Sequence, residues 1–256
     1  MSRIISIANQ KGGVGKTTTA INLSACLAQA GKKVLVIDFD PQANTTSGLG
    51  LDKHGLDASV YDLLLGEKRF DQIVKDTMIK GLSILPTCVE LAGAEIELIN
   101  ISEREYILKR LMVDIKYTYD FILIDCPPSL NILTVNALAA SDTVLVPIQC
   151  EYFALEGLSQ LLRTIELVRK RLNKRLTLEG VVFTMYDPRT NLSSQVVNEV
   201  KEHLQESVYN SIIPRNVRLS EAPSHGVPIT LYDPKSKGSD AYRALAQEVI
   251  NRKAIN

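Results

Sequence analysis

The sequence has no apolar run long enough to cross a membrane. Its apolar runs, such as Val144-Leu145-Val146 before Pro147, fall far short of the ~18 residues that a span needs. The opening Met1-Ser2-Arg3-Ile4-Ile5-Ser6 turns polar too early for a secretory signal. Four cysteines in 256 residues are too few for a small disulfide scaffold, and Cys26, Cys88, Cys126 and Cys150 show no C-x-x-C spacing, which fits thiols kept reduced in a cytoplasm. Internal repeats, low-complexity tracts and linkers rich in Gly, Pro or Ser are also absent, so residues 1–256 read as a single domain. Net charge is missing too. Lys+Arg and Asp+Glu are both 29, so bulk charge gives no hold on nucleic acid. What the chain does have is 45% hydrophobic and 23% charged residues over 256 positions, enough to bury a sizeable core and too apolar for wholesale disorder. The balance hides an asymmetry: 14 basic and 19 acidic side chains up to residue 160, then 15 and 10 beyond it. Taken alone, that describes solvated helix faces.

Short β-branched runs alternate with helix-period segments. Strands are expected at 4–7, 34–37, 82–85, 121–124, 143–146 and 180–183, and helices at 17–30, 103–115, 131–140, 154–171, 191–205 and 239–252, the last opened by Ser239-Asp240. Strands that are apolar throughout are buried on both faces, which requires a mostly parallel sheet with helices on either side. The expected fold class is therefore α/β, a single doubly wound domain with a mostly parallel central sheet, and the glycine-rich turn closing on Gly15-Lys16-Thr17 after the first strand marks it as of the P-loop NTPase type.

Lys11-Gly12-Gly13-Val14-Gly15-Lys16-Thr17-Thr18 follows the first strand and leads into a helix. Strict G-x-x-x-x-G-K-[ST] spacing is not met, because its first glycine falls at Gln10. What remains is Gly-Lys-Thr closing a glycine-rich strand-to-helix turn, where backbone N–H groups and a helix N-terminus cradle phosphates. Gly12, Gly13, Val14, Gly15, Lys16, Thr17 and Thr18 are thus candidate nucleotide-binding residues, with Lys16 reaching the β- and γ-phosphates and Thr17 offering its hydroxyl to Mg²⁺. Two further strands end in aspartate, Val34-Leu35-Val36-Ile37-Asp38-Phe39-Asp40-Pro41 and Phe121-Ile122-Leu123-Ile124-Asp125-Cys126-Pro127-Pro128. Ligands of open α/β sheets sit at such carboxyl ends, and the second run has the Walker B pattern, in which Asp125 holds Mg²⁺ through water.

The extra lysine, Lys11, resembles the KGGxGK[ST] loop of the deviant Walker A ATPases, the superfamily of ParA partition proteins, MinD and nitrogenase iron protein. That resemblance implies that Lys11 crosses a dimer interface to the partner's nucleotide, that Asp40 positions the attacking water, and that Asp38 supports the magnesium site. Residues 42–50 (QANTTSGLG), 91–98, 125–130, 149–157 and 213–223 are similar to chromosomal ParA proteins of the Soj type, over nearly the whole chain. The resemblance to that family implies ATP/ADP and Mg²⁺ as cofactors, an ATP-dependent homodimer, and hydrolysis stimulated by a ParB-type centromere-binding partner. It also implies non-specific DNA binding and a role in chromosome or plasmid segregation, in the cytoplasm on the nucleoid and not on a membrane. Residue by residue, it places DNA contacts on Arg189 and Arg218, in the basic part of the chain, and adenine contacts on Pro214 and Asn216. Lys201, Lys235 and Lys237 are undecided neighbours of the DNA patch. With the first strand at residue 4, no N-terminal helix-turn-helix domain is expected.

Three rival readings are disfavoured. A MinD-like membrane cycle needs a basic amphipathic C-terminal helix, and residues 248–256 lack bulky anchors on a basic face. A shared iron–sulfur cluster would have to use Cys88 and Cys126, the second of which abuts Asp125 and two prolines. An ATP-dependent ligase would need a substrate pocket for which the sequence offers no extra polar motif.

Overall fold

The computed structural model describes residues 2–151 and 154–252. Tyr152 and Phe153 of the 149–157 segment, and the tail from Lys253 onward, lie outside the described residues. The strands are β1 (Arg3–Ile7), β2 (Val34–Asp38), β3 (Lys75–Asp76), β4 (Leu82–Leu85), β5 (Phe121–Asp125), β6 (Thr143–Gln149), β7 (Thr177–Tyr186) and β8 (Val208–Pro214). They form one sheet in the order β3-β4-β2-β5-β1-β6-β7-β8, with every pairing parallel except β3 with β4. The doubly wound, mostly parallel architecture expected from the sequence is the one observed. All six expected strands are present; β3 and β8, the two edges, are additions.

Period-two alternation divides each central strand between two cores. Ile4, Leu35, Ile37, Ile122 and Ile124 face one layer of helices; Ile5, Ile7, Val34, Val36 and Leu123 face the other. The helix expected from residue 17 is Lys16–Gln29, and the others fall at Ile132–Ala140, Ala154–Arg171 and Asn191–Leu204. Two beginnings need correction. Glu103 adopts a left-handed φ of 53°, so the helix expected at 103–115 starts as a 3-10 turn at Arg104–Tyr106 and is α-helical only over Ile107–Ile115. The last helix is Lys237–Asn251, not 239–252: the cap is Ser236, whose hydroxyl accepts from the Ser239 N–H at 3.2 Å, while Ser239 is buried inside the first turn.

The register brings the carboxyl ends of the central strands level. Ile7 of β1 and Asp38 of β2 both stand opposite Asp125 of β5, so the loop leaving β1 rises directly beside the two aspartates. Helix Lys237–Asn251 packs on helix Lys16–Gln29, where the hydroxyls of Tyr242 and Thr19 lie 3.2 Å apart in the core. At the amino ends of the strands, Glu179 of β7 accepts from Arg3 Nε at 3.1 Å, Thr143 Oγ1 at 2.6 Å and the Tyr209 hydroxyl at 2.8 Å. Arg3 also donates through Nη1 to the carbonyls of Val249 and Arg252, and the Arg252 guanidinium lies 3.8 Å from the centre of the Tyr209 ring. The end of the last helix is thereby tied to the first strand.

Candidate functional site

The turn between β1 and helix Lys16–Gln29 is held from below by β6. The Ala8 N–H donates to the Leu145 carbonyl at 3.1 Å, and Asn9 Nδ2 to the Pro147 carbonyl at 2.8 Å. Asn9 Oδ1 in turn accepts the Lys11 N–H at 3.0 Å. Gly13 and Gly15 take φ values of +74° and +87°, which side-chain-bearing residues rarely adopt, and a Cβ on Gly12 or Gly13 would meet no atom within 4 Å. The loop is therefore open above its glycines. Gly15 is the N-cap of the helix and no side chain caps it, so first-turn N–H groups are left to face an anion. Lys16 is buried under the loop, where its Nζ donates to the Lys11 carbonyl at 3.1 Å. Burial lowers its pKa, while Asp125 and Asp40 pull the other way.

Asp38 and Asp125 are both fully buried. Asp38 Oδ2 accepts from the N–H and the hydroxyl of Thr46, each at 2.7 Å. Asp125 Oδ2 accepts from Thr45 Oγ1 at 2.7 Å, whereas Oδ1 has no partner. Burial drives both carboxyls above the ordinary range, Asp38 to about 7 with repulsion from Asp125 added, and Asp125 to about 6 against the pull of the Thr45 and Thr17 hydroxyls. An unpaired buried carboxylate oxygen beside the Thr17 hydroxyl is the kind of hard donor set that a divalent cation takes. Asp40 lies at the rim, where its Oδ1 accepts the Gln42 N–H at 3.0 Å and its carbonyl accepts the Ala43 N–H at 2.8 Å.

Pro214 and Asn216 come to the other side of the loop. With Gly15, Thr18, Met185 and Tyr242 they line a cavity of about 280 Å³. Asn216 caps helix Val217–Glu221 through Oδ1, which accepts the Arg218 N–H at 2.9 Å; Met185 is left-handed, with φ 50°. A larger cleft, about 530 Å³, opens beyond Pro41 and Gln42 and includes none of the loop glycines.

Three predicted residues are engaged elsewhere. Lys11 is ion-paired with Glu151, both partly exposed. Arg189 makes a two-pronged pair with Asp187, at 2.9 and 2.6 Å, and holds the Asp187 carboxyl down at about 2. Arg218 pairs with Glu221 at 2.9 Å and lies 3.7 Å from Asp233. β7 and β8 end side by side, Tyr186 opposite Pro214, so these two arginines leave the sheet at the edge that carries the cavity. All four cysteines are free, and burial pushes the Cys126 thiol up to about 12. Asn9, Thr45, Thr46 and Thr184 were not singled out from the sequence. Only Thr45 and Thr46 had a signal there, within 42–50.

An open glycine turn with a buried lysine, set against aspartates at the ends of adjacent parallel strands, has the shape and charge for a nucleotide's phosphate tail. It places the chain among the P-loop NTPases. A family model described as an AAA domain matches residues 2–178. The chain is 57% identical to the sporulation initiation inhibitor protein Soj of Bacillus subtilis over 249 residues, covering 97% of this chain and 98% of that protein. It is 52% identical to the chromosome-partitioning ATPase Soj of Treponema pallidum, covering 98% of each. Among solved structures it resembles a Mycobacterium smegmatis protein titled cobyrinic acid a,c-diamide synthase with bound ADP and magnesium. There the TM-score is 0.87 and the identity 40%, over 98% of this chain and 94% of that one. The chain belongs to the Soj/ParA family of chromosome-partitioning ATPases.

Proposed function

We propose that the chain is an ATP-driven partitioning switch that dimerises around nucleotide and, as a dimer, holds DNA without regard to sequence. The observation that carries this reading is the phosphate turn itself, which holds one lysine beneath the loop and carries a second, Lys11, on its outer side. Lys16 and the N–H groups of residues 12–18 bind the phosphates, and the cavity at Pro214 and Asn216 takes the adenine. Thr17 and Asp125 would hold Mg²⁺, with Asp38 in support because its Oδ2 is already committed to Thr46. Bound there, the ion supplies positive charge to the phosphate oxygens. Asp40, at the rim, holds the attacking water and orients it. Lys11 exchanges Glu151 for the nucleotide of a second subunit, contributing charge that a monomer cannot supply to itself, as an arginine finger does.

Arg189 and Arg218 contact DNA phosphates in place of their present carboxylate partners. Exposed ion pairs of this kind are weak, so the exchange is easy. Hydrolysis, stimulated by a ParB-type partner, then releases the dimer from the nucleoid in a chromosome- or plasmid-segregation cycle. The relative titled as a synthase is the case for a ligase, but the two relatives of higher identity carry the name Soj.

The test is co-sedimentation with two unrelated duplexes, in ATP and in ADP, across a salt series. Binding in ATP alone, equal on both duplexes, is expected. Arg189→Glu should weaken both equally and lower the log–log salt slope by about two in the dimer, at ~0.9 per phosphate. A strong preference for one duplex, or an unchanged slope in the variant, would place the DNA contacts elsewhere.

A further inference from the structure

Thr184, the residue before Met185 near the end of β7, is buried, and its hydroxyl donates to the Val14 carbonyl of the phosphate loop at 2.8 Å. No other side chain is recorded donating to a carbonyl of residues 12–15 among the described residues. The peptide joining Val14 to Gly15 is planar and trans, so its C=O and N–H point in opposite directions. Fixing the carbonyl toward the sheet therefore aims the Gly15 N–H away from it. That N–H makes no hydrogen bond within the protein among the described residues.

The loop does not fix this plane by itself. Flipping the peptide changes ψ of Val14 and φ of Gly15, and glycine accepts φ of either sign. Val14 is buried, so its side chain stays anchored while the peptide turns. A flip would replace a donor with a carbonyl oxygen facing the phosphates, turning attraction into repulsion. The Thr184 methyl lies close by: an added Cβ on Gly15 would meet Thr184 Cγ2 at 3.5 Å, an ordinary van der Waals contact.

We infer that Thr184 is a positioning residue that locks the Val14–Gly15 peptide with its N–H toward the nucleotide's phosphates. Thr184 also lines the base cavity, but its hydroxyl is committed to the Val14 carbonyl, so it acts on the phosphates through the loop. Because the left-handed Met185 beside it lines the base cavity, one strand end sets both the phosphate donor and the wall of the base site.

This assignment rests on the nucleotide reading of the loop, and the experiment separates the two. ATP affinity is measured by equilibrium dialysis for wild type, Thr184→Val, Thr184→Ser and Lys16→Ala, and the Gly15 amide resonance is followed by NMR as ADP is added. Thr184→Val keeps the shape and loses the hydroxyl, and it should bind ATP about tenfold more weakly, because a hydrogen bond of ordinary strength no longer holds off the flipped peptide and the competent conformer becomes the minor one. Thr184→Ser keeps the hydroxyl and should stay within about twofold of wild type. ADP should shift the Gly15 amide strongly in wild type and Thr184→Ser, and much less in Thr184→Val. Wild-type affinity in Thr184→Val, equal losses in the Val and Ser variants, or a wild-type Gly15 amide unmoved by ADP would each overturn the lock. Undiminished ATP binding by Lys16→Ala would instead overturn the nucleotide reading of the loop.

Discussion

Two buried carboxylate clusters sit at opposite ends of the same sheet, and they are built to different standards. At the amino ends, Glu179 is saturated: Arg3 and Tyr209 donate to one oxygen, Arg3 and Thr143 to the other. At the carboxyl ends, Asp125 keeps Oδ1 without a partner, and both Asp125 and Asp38 hold their protons more tightly than ordinary carboxyls do. A saturated cluster has nothing left to bind and can only hold strands together. The unsaturated one leaves the free protein less stable than its core allows, and a cation and phosphates are what would relieve it. The sheet thus keeps its stability at one end and its chemistry at the other.

That division can be broken by mutation. Asp40→Ala should lower single-turnover ATP hydrolysis by about 10²–10⁴, the range for a positioned acid–base group, while equilibrium dialysis still finds ATP bound. Hydrolysis at the wild-type rate would make Asp40 an ordinary strand-end residue. At the other end, Glu179→Ala leaves the Arg3 guanidinium without its buried partner and should cost about 3–5 kcal/mol in urea unfolding. The protein that remains folded should bind ATP with wild-type affinity; a matching loss of affinity would show that the two ends are coupled.

The smallest effect is a pH dependence. Asp38 and Asp125 have folded-state pKa values of about 7 and about 6, above the unfolded value near ~3.9. Between those limits the native state binds protons that the unfolded chain does not, so stability falls as pH rises from about 4 to about 7. Asp125→Asn keeps the shape and removes the charge. Without nucleotide its thermal midpoint should exceed wild type at pH 8 and converge on it at low pH. An equal offset at both would mean that the mutation acts through packing.

Much of this was legible in the sequence, for a physical reason. The central strands are buried on both faces, so each reads as a nearly continuous apolar run, broken in β1 only by the buried Ser6, and two of them end in aspartate. The edge strands escape this logic. β8 carries exposed Asn210 and β3 is two exposed residues, Lys75 and Asp76, so neither has the pattern of a buried strand. Asn9 and Thr184 were invisible because each acts on a backbone carbonyl more than a hundred residues away, a relation that only the folded sheet creates. The arginines expected to meet DNA lie at one edge of the sheet, and sequence could not foresee that Asp187 and Glu221 already occupy them.

The tie between Arg3 and the end of the last helix has a consequence for biosynthesis. β1 and its loop leave the ribosome first, yet the neighbours of β1 in the sheet are β5 and β6, which begin at Phe121 and Thr143. The acceptors of Arg3 Nη1 come later still, at Val249 and Arg252. A nascent chain therefore carries β1 unpaired for about half of translation, and the tie from Arg3 to the last helix forms only when the far end arrives. Such long-range closure is slow and exposes strand edges. A product that stalls before the last helix would leave the Arg3 guanidinium with Glu179 as its only acceptor of those named and the amino ends of the sheet without their closing tie.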